Sequence, residues 1–122
     1  MEAKQPEEKD LSQAARAYIE AHSAEKFSLK EMAGALFVNG SYLLRVFKRR
    51  TGMTPLSYHH RVRCQKAKEL LVRTDRTISQ IGEAVGFVSS SHFTHIFRQT
   101  EGCTPSEYRV RNKPADQEVP SQ

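Results

Sequence analysis

The apolar positions of the chain recur with a helical period, and after the first set they do so in two parallel series. Leu11, Ala14, Ala15, Tyr18 and Ile19 are spaced as one face of an amphipathic helix ending near His22. Leu29, Met32, Ala33 and Leu36 form the next face, and Ile78, Ile81, Gly82 and Val85 repeat it later. Each of these is led by a capping box, Ser28 with Glu31 and Thr77 with Gln80. In such a box the hydroxyl accepts from the amide three residues on, and the longer side chain returns the bond. Both series therefore open with a helix of about three turns. Breaks follow at residues 37–39 and 86–89, where Asn39 and Ser89 are placed to cap what comes next. The stripes Leu43, Val46, Phe47 and Phe93, Ile96, Phe97 then predict a second helix in each series. Short helix, tight turn and helix with one shared core make a helix-turn-helix.

Punctuation repeats as well. Phe47, Gly52, Thr54, Pro55, Tyr58 and Arg61 recur fifty positions later as Phe97, Gly102, Thr104, Pro105, Tyr108 and Arg111. Gly52 and Gly102 stop the second helices, and the two Thr-Pro pairs start new ones, with proline where a missing N–H costs nothing. The helix from Pro55 continues through Tyr58, Val62, Ala67, Leu70 and Leu71 to Arg73, a length of about 30 Å. The helix from Pro105 is short, and Arg109 and Arg111 suit its own C-terminal end. The expected fold is all-α, with seven helices forming two homeodomain-like helix-turn-helix lobes joined by a long connecting helix. The expected divisions are an acidic flexible tail or linker at 1–10, a first lobe at 11–53, the connecting helix at 54–73, a second lobe at 74–111 and a flexible tail at 112–122. A connector of about 30 Å approaches the ~34 Å turn of a duplex, so the fold is expected to repeat because its ligand repeats, with the two second helices entering successive major grooves.

Charge narrows the ligand. The 122 residues carry a net +5, but both ends are acidic. Setting aside three Lys and six acids in residues 1–10 and 112–122 leaves residues 11–111 with 16 basic and 8 acidic groups. Such an excess attracts polyanions. Cys64 and Cys103 lack CxxC spacing and define neither a disulfide framework nor a zinc site. The opening MEAKQPEEKD has no apolar leader core, and no apolar run approaches the ~20 residues of a membrane helix, so a cytoplasmic chain is expected. His92 with His95, and His60 with Cys64, are spaced to touch one ion, but without further ligands nearby they make a poor metal site. Neither a nucleophile with an orienting third group nor a glycine-rich phosphate loop stands out, so no catalysis and no cofactor are expected.

The second helices hold the candidates for contact with a DNA groove. With their apolar stripes turned inward, the opposite arcs carry Ser41, Leu44, Arg45 and Lys48 in the first and Ser91, Thr94, His95 and Arg98 in the second. Arg45 suits guanine O6 and N7, Ser and Thr suit either partner of a pair, and Leu44 or the Thr94 methyl suits a thymine methyl. Lys48, Arg49 and Arg98 lie a turn further on and suit phosphates.

The blocks SYLLRVFKRRTGMTP, AKELL, ISQIGEAVGF and FRQTEGCTPSEYR resemble the DNA-binding domain of the AraC/XylS family of bacterial transcription regulators, over residues 11–111. That resemblance implies a double helix-turn-helix that binds promoter DNA and usually activates transcription through RNA polymerase. It implies base contacts by Ser41, Leu44 and Arg45, and by Ser90, Ser91, Thr94 and His95. Leu44 departs from a position that is commonly polar, and His95 from one where Arg is frequent. The resemblance further implies either a stand-alone regulator or the DNA-binding end of a protein with a sensor or dimerisation domain. The competing expectation is a basic helical module that binds protein or RNA without reading duplex sequence.

Overall fold

The computed structural model describes residues 7–113. Seven helices follow one another: α1 (Glu8–Ala21), α2 (Leu29–Ala35), α3 (Gly40–Thr51), α4 (Pro55–Arg73), α5 (Ile78–Ala84), α6 (Ser90–Glu101) and α7 (Pro105–Asn112). The chain forms two compact units that divide between His59 and His60, inside α4. The first turn of α4 thus belongs to one unit and its remainder to the other.

In the first unit α1 packs on α3, and α2 packs on α3 from the same chain segment. Leu11, Ala15, Ile19, Met32, Leu43, Val46 and Phe47 are buried there. Complete burial of a large apolar side chain contributes about 1.5–3 kcal/mol. Tyr58 brings its ring edge to Phe47, with centroids 5.7 Å apart. Its hydroxyl donates to Glu20 Oε2 at 2.6 Å. In the second unit Cys64, Ala67 and Leu71 of α4 join Ile81, Val85, Phe87, Phe93, Ile96 and Phe97 in one core. Phe97 and Tyr108 repeat the aromatic pair of the first unit, again edge-on, at 5.8 Å.

Local chemistry explains most boundaries. Asn39 Oδ1 accepts from the amides of Ser41 and Tyr42 at 2.8 and 3.2 Å, and Ser89 Oγ accepts from His92 at 3.0 Å. Gly52 and Gly102 end α3 and α6 in the left-handed region, with φ of 81° and 85°. Thr77 with Gln80 and Thr104 with Glu107 form complete capping boxes. Ser28 accepts from the Glu31 amide at 3.1 Å, but the expected return bond from Glu31 is not part of this cap. The N-cap φ also differs, −144° at Ser28 against −69° and −76° at the two threonines.

Four expectations are corrected. The helices α2 and α5 have seven residues each, two turns rather than three, because the chain reverses at Phe37 (φ 59°) and Gly86 (φ 112°). Helix α1 starts at Glu8 and not at Leu11, since the Glu7 carbonyl already accepts from the Leu11 amide at 2.8 Å and acidic residues suit the first turn. The expected tail at residues 1–10 therefore contributes residues 8–10 to α1. At the other end α7 runs to Asn112, and Lys113 Nζ donates to the Thr74 carbonyl and to Asp75. Arg109 does not serve its own helix end: it donates from Nε to the Leu71 carbonyl at 3.0 Å and from Nη2 to the Thr74 carbonyl at 3.2 Å, closing the last turn of α4. The remainder of the expected tails, residues 1–6 and 114–122, lies outside the described residues.

Candidate nucleic-acid interface

The two helix-turn-helix motifs, α2–α3 and α5–α6, each bury one stripe of their second helix and turn another outward. On α3 the buried stripe is Leu43, Val46 and Phe47, while Ser41, Leu44, Arg45, Lys48 and Arg49 are exposed. On α6 it is Phe93, Ile96 and Phe97; Ser90, Ser91, His95 and Arg98 are exposed and Thr94 is half-buried. Each motif therefore offers solvent a strip that opens on serine and ends on basic side chains, with Leu44 exposed between them on α3. That combination can donate and accept hydrogen bonds at base edges while a cation meets phosphate.

Neighbours hold several of these groups in place. The Arg45 guanidinium lies over the Tyr42 ring, 5.7 Å from its centroid. Arg49 is engaged: its Nε donates to Glu8 Oε1 at 3.2 Å and its Nη2 to Glu8 Oε2, tying the last turn of α3 to the first of α1. The Glu8 carboxylate raises the Arg49 pKa above the ordinary guanidinium value. Lys48 and Arg98 carry no such clamp among the ion pairs of the described residues.

Behind the start of α6 lies a cluster that periodicity does not disclose. Phe87, in the α5–α6 turn, meets His92 edge-on at 5.4 Å, stacks with His60 at 6.4 Å and lies under the Arg63 guanidinium at 5.0 Å. Burial lowers the His60 pKa below its ordinary value, and Arg63 and then His92 add to the effect. The ring centroids of His60 and His92 lie 6.2 Å apart, with the rings edge to face. Cys64 is fully buried, and burial pushes its thiol up to about 11. Among the described residues no group of three or more His, Cys, Asp or Glu side chains could hold a metal ion. No helix of the described residues is long and apolar enough to cross a membrane.

A family model described as a helix-turn-helix domain matches residues 32–111. A solved transcriptional regulator from Chromobacterium violaceum, titled as one of the AraC-type DNA-binding domain-containing proteins, is 32% identical. It superposes with a TM-score of 0.81 over 88% of this chain and 96% of its own. The chain belongs to the AraC/XylS family. Another family relative, the transcriptional activator RhaS of Escherichia fergusonii, is 37% identical over 93 residues, which are 76% of this chain and 34% of RhaS. The solved DNA-binding domain of AdpA, a global transcriptional factor, is 26% identical with a TM-score of 0.75, covering 83% of this chain and 90% of that one, and was determined in complex with a target DNA. The chain spans about a third of the length of the curated relatives it matches.

Proposed function

We propose that this chain is the sequence-reading part of a bacterial transcription regulator, an activator, and that α3 and α6 each enter a major groove of promoter DNA. The observation that carries this reading is the outward strip of each second helix, small and polar at its start and basic at its end, opposite a buried apolar stripe. The AdpA domain, of similar fold, in complex with DNA supports it. Base contact falls to Ser41, Leu44 and Arg45 on α3, and to Ser90, Ser91, Thr94 and His95 on α6. Lys48 and Arg98 meet phosphates, and Arg49 does so once it leaves Glu8. The regulator works in the cytoplasm on the nucleoid, with RNA polymerase as the protein it recruits. Its control would come either from its own abundance, as a stand-alone regulator, or from a sensor or dimerisation domain of a longer parent protein.

Selection from a random duplex pool at about 150 mM salt, where nonspecific binding is weak, tests the reading. Two enriched blocks about ten base pairs apart are expected. A single block would leave the second motif as a backbone clamp. No enrichment, with binding that vanishes as salt rises, would favour the protein- or RNA-binding module instead.

A further inference from the structure

Glu8 and Arg49 are joined across 41 positions of sequence, and the pair takes one of the three cations in the last turn of α3. The carboxylate faces Nε and Nη2. That edge of a guanidinium is one a phosphate also grips with two parallel bonds, so it serves one anion at a time. Both side chains remain partly exposed, 54% for Arg49 and 38% for Glu8. An approaching phosphate can therefore reach the pair without unfolding anything. Around the helix Arg49 stands about 40° from Arg45, at the border of the outward strip. The second unit has Gln99 and Thr100 at the places of Arg49 and Arg50, so Arg98 is the only basic residue in the last turn of α6.

Resting on the duplex-reading function above, we propose that Glu8 acts as an internal stand-in for a DNA phosphate: it occupies the binding edge of Arg49 and withholds one backbone contact from α3. Glu8 is then an affinity-setting residue. The pair itself stabilises little, because water screens the attraction between two partly exposed side chains. A phosphate contact, by contrast, is visible in the salt dependence of binding, since each one releases counterions. Withholding it lowers the sequence-independent part of the affinity, and the contacts to bases keep their weight.

The test is a salt titration, between about 50 and 200 mM, of binding to a short duplex of arbitrary sequence. The wild type, Glu8→Gln, Arg49→Gln and the double variant are compared, with thermal unfolding as the check that each remains folded. Freeing Arg49 should steepen the slope of log K against log salt by about 0.9 and tighten binding about five-fold at 0.15 M salt. Both gains should disappear when Arg49→Gln is already present. Parallel salt lines for the wild type and Glu8→Gln would overturn the proposal, as would an equal gain in the Arg49→Gln background, which would mean only that an acid near DNA repels it. A wild type without salt-dependent duplex binding would overturn the DNA-reading function as well, whereas parallel lines leave that function standing.

Discussion

Phe37 and Gly86 occupy the same place in the two units, each at positive φ in the turn after its short helix. Glycine adopts that region without strain, whereas a side chain pays about 1–2 kcal/mol for it. Phe37 recovers nothing by packing, since it is 92% exposed. Phe37→Gly should therefore stabilise the fold, by a net of about 0.5–1 kcal/mol after the added chain entropy of glycine, measured by urea unfolding. The candidate contacts separate at the same scale. Arg45→Ala should relax preference at one base pair by about 1–3 kcal/mol, while Lys48→Ala should weaken all duplexes alike and lower the salt slope by about one. Binding measured across a panel of single-base variants at several salt concentrations distinguishes the two. Which of these side chains point outward was legible from spacing alone, because a helix with a buried stripe has only one opposite arc. That Arg49 is already held was not, because Glu8 comes from a helix that only tertiary packing brings near.

Between elements the two units solve one packing problem with different residues. A Cβ placed on Gly82 would sit 2.8 Å from Phe93 Cδ2, so α5 and α6 approach this closely only because position 82 has no side chain. In the first unit the equivalent positions hold Ala33 and Leu43, both buried. The smaller Leu leaves room for a methyl group. Gly82→Ala should cost about 1–3 kcal/mol through overpacking. Adding Phe93→Leu, which copies the first unit, should recover part of that loss, so that the double variant is less destabilised than the sum of the singles. Chemical denaturation of the four proteins measures the coupling. Sequence periodicity placed Gly82 on the buried face of its helix but gave no reason for a glycine there. Similarly, Arg109 looked suited to its own helix end, and the fold instead sends it to the carbonyls of α4, where four C-terminal acceptors need partners.

For the whole molecule, pH acts through the cluster around Phe87. The His60 pKa is lowered in the folded chain, first by burial and then by Arg63 and His92. Below the unfolded value of 6.5 the unfolded chain binds the proton more readily, so stability falls as pH drops through and below that point. Thermal midpoints between pH 7.5 and 5.5 should decline, and the decline should be shallower in His60→Gln. An equal slope in both proteins would place the acid sensitivity elsewhere.

What the sequence determined by itself was local and repetitive: the seven helices, their caps at Asn39, Ser89, Thr77 and Thr104, their glycine stops, and the doubling of the motif. These depend on residues three or four apart and on the φ of single positions, which a linear string records directly. The tertiary structure decided the pairings across distance. It set Glu8 on Arg49, His60 beside His92 and Arg63 over Phe87, and it gave the two ends of α4 to different cores. Such pairings follow from how helices pack, and the period of one helix does not specify which side chain of another will meet it.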